Sequence, residues 1–189
     1  MLVPRTPFPA APAELFGRGV SILDRSGLGL ASVLARKDRT SVLARRVREH
    51  LSLELPKGAE RCAAGSVALA GTGPGAWLAS CENGHGSFAT SLHEIIGDLA
   101  AVSDQSAGYA VSRLSGPRVP AILSKLVPLD LDARVFKPGH VATTAAAHVG
   151  IVLWRLDEID CALPCFEIAV RRSLAGSFWD ALLTSAMSP

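Results

Sequence analysis

Three adjacent residues, Asp104, Gln105 and Ser106, place a carboxylic acid, an amide and a hydroxyl in one short connection. Such a group could orient a ligand or accept a proton from it. The same residue types also form Asx turns, in which the Asp side chain accepts a hydrogen bond from a backbone N–H two residues further on. We expect a turn or a protein interface here in preference to a catalytic group.

A second ionisable candidate, His148, stands between Ala147 and Val149 in an apolar stretch. A lone histidine in such a stretch is more often a hydrogen-bonded core residue than a ligand or a base. The sequence therefore predicts a core position for His148. His93 and Glu94 are adjacent, but the second histidine that a zinc protease needs four residues after the first is missing.

Large aromatic side chains occur at two points. Trp154 stands next to Arg155, and Phe178 stands next to Trp179. Residues that join a large apolar surface to a charge or an indole N–H often anchor protein interfaces. The same side chains are equally suited to a hydrophobic core. Both interpretations stay open at this point.

The cysteines give little support for a metal site. Only Cys161 and Cys165 lie close together, and no further Cys or His pair follows at ligand spacing. Cys62 and Cys81 are scattered, and in a chain without an export signal this pattern favours reduced thiols over disulfides.

Composition excludes several function classes. The 189 residues are 49% hydrophobic, and 19 basic and 17 acidic residues give a net charge of +2, too small to indicate nucleic acid or anionic lipid as a partner. No apolar run approaches the about 18 residues of a membrane span. Prolines interrupt the first residues, so we expect a flexible tail at 1–27 and a cytoplasmic location.

Hydrophobic spacing predicts an α+β domain. Apolar residues recur every four positions in 43–51 and again in 88–96, which is typical of amphipathic helices, and the basic residues at 45, 46 and 48 should form a solvated helix face in preference to a phosphate site. The glycines at 71, 73 and 75 predict a hairpin turn, because a strand follows them where a nucleotide-binding loop needs a helix.

These elements form two small, mainly antiparallel βαββαβ-like modules. We place the first α+β module at 28–103 and the second at 104–189. Within the second, a long extended stretch runs over 140–156, a last strand over 166–170, and a closing helix puts Leu174, Phe178 and Leu182 on one face.

The second module carries a family resemblance at six separated points in the right order. They are Ala101-Val102-Ser103-Asp104-Gln105-Ser106, Arg113-Leu114-Ser115-Gly116-Pro117, Pro128-Leu129-Asp130-Leu131, Ala147-His148-Val149-Gly150, Leu153-Trp154-Arg155-Leu156-Asp157 and Arg172-Ser173-Leu174-Ala175-Gly176-Ser177-Phe178-Trp179. In these points the chain resembles the gamma subunit family of heterotetrameric sarcosine oxidase. It departs from the family pattern at Leu126-Val127 and at Arg171, which leaves the N-methyl substrate of the complex open.

The resemblance implies a fold similar to the N-terminal, folate-binding-type domain of glycine-cleavage aminomethyltransferases. It also implies a non-catalytic assembly subunit of a flavin-dependent complex that oxidatively demethylates sarcosine to glycine, with hydrogen peroxide and formaldehyde or methylenetetrahydrofolate as further products. Catalytic, cofactor-binding and metal-binding residues are not expected on this chain. Candidate interface or structural residues are Asp104, Gln105, Ser106, Arg113, His148, Trp154, Arg172, Phe178 and Trp179.

Partners and cofactors follow from the same resemblance. It implies alpha, beta and delta subunits as partners, with alpha in direct contact, and it places FAD, FMN, NAD and tetrahydrofolate on those other subunits. The alternative is a free-standing folate-dependent aminomethyltransferase-like protein. Enzymes of that type are expected to be nearly twice as long, which favours the subunit.

Overall fold

The computed structural model describes residues 7–8, 19–157 and 163–188. The strands within these residues are β1 (Ser21–Asp24), β2 (Gly29–Ala35), β3 (Arg61–Ala64), β4 (Val67–Gly73), β5 (Ala76–Cys81), β6 (Ala100–Asp104), β7 (Tyr109–Ser115), β8 (Val141–Ala146), β9 (Val149–Arg155) and β10 (Cys165–Arg171). The helices are α1 (Thr40–Leu51), α2 (Phe88–Ile96), α3 (Val119–Ser124) and α4 (Ala175–Met187), with a 3-10 turn at Arg172–Leu174. None of these helices has the length and apolar character needed to cross a membrane. The α+β class is confirmed.

One compact unit comprises residues 27–109 and 140–142. Its five-stranded sheet has the order β3-β4-β5-β2-β6, and every neighbouring pair is antiparallel. Ala31 and Val33 of β2 share a buried cluster with Leu43 of α1 and Leu92 of α2. The two helices therefore cover one face of this sheet, which is why their apolar residues recur every four positions.

The β4–β5 hairpin confirms the predicted turn, although β4 continues as far as Gly73. Gly75 has φ +66°, a backbone conformation that glycine adopts without steric cost. A Cβ atom at Gly71 would collide with the carbonyl oxygen of Gly58, so glycine at this position permits a close backbone approach. These glycines shape a hairpin, and the nucleotide-loop alternative does not apply.

The other compact unit comprises, among the described residues, 7–8, 19–26, 110–139, 143–157 and 163–188. Most of the strand residues of this unit belong to one five-stranded sheet, which has the order β1-β7-β10-β9-β8. Strand β1 pairs antiparallel with β7, and β9 pairs antiparallel with β10. Phe178 and Leu182 of α4 are buried, as the predicted helix face requires, whereas Leu174 lies in the 3-10 turn before α4 and is 41% exposed.

Two parts of this unit differ from expectation. Residues 21–24 form β1 within the stretch that was predicted to be a flexible tail, because their backbone pairs with β7 far along the chain. The extended stretch over 140–156 is divided into β8 and β9 by a turn at Ala147 and His148, whose φ angles are +47° and +71°. The turn lacks Gly, Asn and Pro, so the sequence carries no hairpin signal there.

Candidate functional site

Asp104 ends strand β6 and begins the polar connection that follows it. Its Oδ1 accepts hydrogen bonds from the backbone N–H of Ser106, at 2.8 Å, and from the Ser106 hydroxyl, at 2.7 Å. This is the geometry of an Asx turn. The bond from the backbone of Ser106, and then the bond from its hydroxyl, lower the pKa of the Asp104 carboxyl. A carboxyl with a lowered pKa and an occupied oxygen is a poor proton acceptor.

The other two residues of the connection bind strand β2. The Ser106 hydroxyl is buried and accepts a hydrogen bond from the backbone N–H of Leu30 at 3.0 Å. The backbone N–H of Gln105 donates to the carbonyl of Leu30 at 2.8 Å, and its side-chain amide lies 3.5 Å from the Ser32 hydroxyl. The structure thus brings Asp104, Gln105 and Ser106 together, with their polar groups directed to backbone and side chains of the same unit.

A second polar cluster centres on Glu167 of β10, a residue that is only 3% exposed. Its Oε1 accepts hydrogen bonds from Nε of Arg25 at 3.0 Å and from Nε of Arg113 at 2.9 Å, and Nη2 of Arg113 lies 2.8 Å from the same oxygen. Its Oε2 accepts a hydrogen bond from the indole Nε1 of Trp154 at 2.9 Å. Two guanidinium groups and one indole therefore occupy both oxygens of one buried carboxylate. We call these four residues the Glu167 cluster.

Sheet register explains how the Glu167 cluster assembles. Trp154 lies directly opposite Glu167 in the β9–β10 pair, and Arg113 belongs to β7, the strand on the other side of β10. Arg25 follows β1, and its backbone N–H donates to the carbonyl of Val111 at 2.9 Å. A buried charge is tolerated when opposite charges and hydrogen bonds compensate its desolvation. The cluster therefore links neighbouring strands and does not present a base or a nucleophile.

Sequence reasoning found Arg113 and Trp154 but missed Arg25 and Glu167. One signal for Glu167 exists, because it is the single charged residue in the otherwise apolar strand segment 165–170. A carboxylate in a buried strand needs a cation nearby. No comparable signal marks Arg25, since its partner is 142 positions away in the chain.

The large aromatic residues belong to the core of this chain. Trp154, Phe178 and Trp179 are 2%, 0% and 3% exposed, and the ring of Trp179 lies 5.6 Å from the ring of Phe8, centre to centre. Arg155 is buried as well. The interpretation of these side chains as interface anchors is wrong, because they leave almost no surface for a partner to contact.

The predicted core position of His148 is also wrong. The side chain is exposed, and the residue occupies the turn between β8 and β9 with a positive φ. A residue that reverses the chain at the end of a hairpin projects away from the sheet, whatever the polarity of its neighbours. Arg172, by contrast, is half-buried in the 3-10 turn before α4.

The basic residues of α1 are engaged in ion pairs. The nitrogen–oxygen distances are 3.9 Å for Arg45–Glu49, 3.3 Å for Arg46–Asp98 and 2.6 Å for Arg48–Glu54. The hydrogen bond between Arg48 and Glu54 raises the pKa of the arginine and lowers the pKa of the glutamate. This is the solvated, paired helix face that the sequence predicts, and it favours no phosphate site.

The described cysteines are not joined by disulfides, and the thiol pKa of Cys62 is raised. Cys62, Cys81 and Cys165 form no disulfide, and Cys161 lies outside the described residues. Burial raises the pKa of the Cys62 thiol, which disfavours the reactive thiolate. Within residues 7–8, 19–157 and 163–188, no group of three or more His, Cys, Asp or Glu side chains could hold a metal ion.

An open depression of about 380 Å³ lies beside α4. Its lining is formed by Lys125, Leu126, Ala181, Thr184, Ser185 and Ser188. The ammonium group of Lys125 donates to the carbonyl of Ser188 at 3.3 Å, and the Ser185 hydroxyl donates to the carbonyl of Ile122 at 2.9 Å. This lining combines one ionisable group with hydroxyls, so it does not hold an acid and a base in one place.

The fold defines a class of α+β proteins with two antiparallel sheets. Glycine cleavage system aminomethyltransferase T from Bartonella henselae matches 90% of this chain over 48% of its own length, with a TM-score of 0.62 and 13% identity. A chain of the heterotetrameric sarcosine oxidase from Corynebacterium sp. U-96, in complex with pyrrole 2-carboxylate, matches 97% of this chain over 94% of its own, with a TM-score of 0.80 and 23% identity. The predicted similarity in fold to aminomethyltransferases is confirmed.

Residues 36–187 match the model of the sarcosine oxidase gamma subunit family, and the chain belongs to that family. Sarcosine oxidase subunit gamma from Arthrobacter sp. is 34% identical over 96 residues, which cover 51% of this chain and 47% of the relative. The protein of the same name from Corynebacterium sp. strain P-1 is 38% identical over 99 residues, which cover 50% and 48%. The chain thus spans about half the length of the curated relatives it matches.

Proposed function

We propose that this chain is the gamma subunit of a heterotetrameric sarcosine oxidase and acts there as a non-catalytic assembly subunit. The observation that carries the proposal is the backbone match over 97% of the chain to a chain of the Corynebacterium complex. Membership of the gamma subunit family over residues 36–187 supports the same assignment. A chain that shares this backbone fold over nearly its whole length is suited to the same place in such an assembly.

The assignment of a non-catalytic role is supported by what the polar side chains do. The carboxylate of Asp104 is bound by Ser106, and both oxygens of Glu167 are occupied by arginine and tryptophan donors. Both groups therefore stabilise the chain's own fold. A subunit of this kind acts by stabilising the folded, assembled state of its partners through mass action.

The reaction of the complex belongs to the proposal as well. The complex would oxidatively demethylate sarcosine to glycine and release hydrogen peroxide with formaldehyde or methylenetetrahydrofolate. FAD, FMN, NAD and tetrahydrofolate would be held by the alpha, beta and delta subunits, with alpha in direct contact with this chain. The location would be the cytoplasm.

A second candidate is a free-standing, folate-dependent aminomethyltransferase-like protein. The match to aminomethyltransferase T, with a TM-score of 0.62, favours it. That match covers 48% of the aminomethyltransferase, so it supports a shared domain more directly than a shared activity.

Co-expression tests the proposal. The tagged chain is produced with its genomic neighbours and purified through the tag, and the product is assayed for flavin absorbance and for peroxide production with sarcosine. We expect a yellow, four-component complex with sarcosine-dependent peroxide release. Omission of each neighbour in turn provides the matched controls, and omission of the alpha subunit should release this chain from the remaining subunits.

Two results would contradict the proposal. A colourless monomer that transfers an aminomethyl group to tetrahydrofolate by itself would establish the second candidate. Recovery of the tagged chain without any flavin-bearing partner, under conditions in which the neighbours are expressed and folded, would exclude the subunit role.

A further inference from the structure

Strand β6 forms one edge of its sheet, next to β2. The backbone N–H of Arg36 donates to the carbonyl of Leu99, and that of Gln105 donates to the carbonyl of Leu30. In an antiparallel pair, alternate residues direct both backbone groups to the partner strand. Ala101 and Ser103 therefore bond to β2, whereas the N–H and C=O groups of the residues between them point away from the sheet.

The outward groups that remain accessible are those of Val102 and Asp104. Ala100 is fully buried, which closes the edge at one end, whereas Val102 is half-buried and Asp104 is exposed. Within the described residues, no strand lies beyond β6 and no backbone group bonds to the outer side of Val102 or Asp104. An open row of such groups is a template for one more strand.

The opposite edge of the same sheet is covered where it begins. Strand β3 carries Arg61, and the residues just before it are covered, since Glu60 bridges to His140 and the backbone N–H of Val141 donates to the carbonyl of Ala59. Charged residues and covering segments are the usual protection of an edge strand. Strand β6 has no Lys, Arg or Pro, and its one charged residue, Asp104, lies at its end.

The surface beside the open edge carries an exposed leucine. Leu34 of β2 lies directly opposite Ala101 of β6, so the two side chains share a face of the sheet. Leu34 is 54% exposed, although it is a large aliphatic residue, and Ala101 is exposed as well. The small side chain of Ala101 leaves Leu34 within reach of a long side chain on an added strand.

We propose that the edge of β6 from Val102 to Asp104 is a docking site for an extended, basic segment of a different polypeptide, which adds to the sheet as a sixth strand. A second copy of this chain is the weaker occupant, because β6 contains no basic residue that could pair with Asp104 of the other copy. A basic residue opposite Asp104 would complement its charge. That the polypeptide is the alpha subunit rests on the proposed function, whereas the edge itself does not.

The test compares the same substitution on the two edges of the sheet. Ala101→Lys and Ala63→Lys both add one lysine at an exposed alanine, the first on β6 and the second on β3. Each variant is co-expressed with the genomic neighbours and purified through its tag. We expect Ala63→Lys to recover partners like the wild type and Ala101→Lys to recover at least about tenfold less, since an edge lysine disfavours strand addition.

Hydrogen exchange on the wild type gives a second measurement that does not depend on a variant folding. The amides of Val102 and Asp104 should exchange at least about tenfold more slowly in the complex than in the free chain. The amides of Ala101 and Ser103, which are already bonded to β2, should change little. Matching melting curves for the two lysine variants would show that recovery reports binding.

Three results of these experiments would contradict different parts of the proposal. A complex that forms equally with both variants and leaves the Val102 and Asp104 amides unprotected would overturn the docking site and leave the proposed function standing. Recovery of no partner with the wild type would overturn the proposed function and the assignment of the alpha subunit to this edge. A wild-type dimer that Ala101→Lys converts to a monomer would overturn the assignment to a different polypeptide in favour of a second copy.

Discussion

Asp104 and Glu167 are both carboxylates occupied by hydrogen-bond donors, but the donors come from different distances along the chain. Asp104 binds Ser106, two residues further on. Glu167 binds Trp154, Arg113 and Arg25, which are 13, 54 and 142 positions away. The first carboxylate orders a turn, whereas the second joins strands that are remote in sequence.

Burial separates the two carboxylates as clearly as distance does. Asp104 is exposed, so water can replace its partners, while Glu167 is buried and depends on them. Removing one member of a buried charged network leaves the others without compensation. The comparison therefore predicts that stability depends far more on Glu167 than on Asp104.

The largest effect is expected for Glu167→Ala. Loss of this carboxylate removes the acceptor that two guanidinium groups and an indole N–H share, which should lower the free energy of unfolding by about 3–5 kcal/mol. Urea denaturation followed by circular dichroism measures the change. Glu94→Ala, at an exposed position of α2, is the control and should stay within about 0.5 kcal/mol of the wild type. Equal midpoints for the two variants would show that the Glu167 cluster is not a stabilising link.

A smaller loss of stability is expected for Ser106→Ala. The buried hydroxyl accepts from the backbone of Leu30 and donates to Asp104, so its removal leaves one buried N–H unsatisfied. The cost should be about 1–3 kcal/mol, read from the same denaturation curves. Ser103→Ala, an exposed serine of β6, is the matched control and should cost little. A cost for Ser106→Ala no greater than that of the control would mean that the turn contributes nothing to stability.

The features formed by residues close together in the chain, such as the Asp104 turn, could be predicted from the sequence. An Asp with a Ser two residues later can form an Asx turn without any distant partner. The four-residue spacing in α1 and α2 follows from one buried helix face. Gly75 likewise predicts the hairpin, since its positive φ belongs to the turn itself, whereas the approach of Gly58 to Gly71 follows from no local pattern. The α+β class with mainly antiparallel pairing was predictable because such local patterns identify most of the helices and strands, although β1 and β3 were missed.

The contacts between residues far apart in the chain could not be predicted in the same way. Arg25 has no local feature that distinguishes it from any surface arginine, and β1 is a strand because β7 pairs with it. The sequence predicts a core position for His148 because it stands in an apolar stretch, and the turn it occupies lacks the residues that mark hairpins. Aromatic residues such as Trp179 suit an interface or a core equally well, and only packing decides between them.

Replacing the residues of the β8–β9 turn tests whether a change confined to neighbouring residues has only a small effect on stability. Ala147 and His148 both have positive φ, a conformation that Asn and Gly adopt more readily. The double variant Ala147→Asn, His148→Gly should therefore raise the free energy of unfolding by about 0.5–1 kcal/mol, measured by urea denaturation. Replacement of the two residues in reverse order, Gly then Asn, serves as the comparison. Destabilisation by the Asn-Gly variant would mean that the turn is held by contacts of its side chains.

The smallest effect concerns the pH dependence contributed by Asp104. The hydrogen bonds from Ser106 lower the folded pKa of Asp104 below its unfolded value of about 4. Its contribution to stability is therefore complete above the unfolded pKa and is lost as the pH falls through the folded pKa. Asp104→Asn keeps an oxygen acceptor for the turn but removes the titration, so the difference in urea midpoint between wild type and variant should shrink between about pH 5 and pH 3. The other carboxylates titrate in both proteins and cancel in this difference. A difference that stays constant over the same range would place the donors of Asp104 elsewhere and would remove the contrast with Glu167.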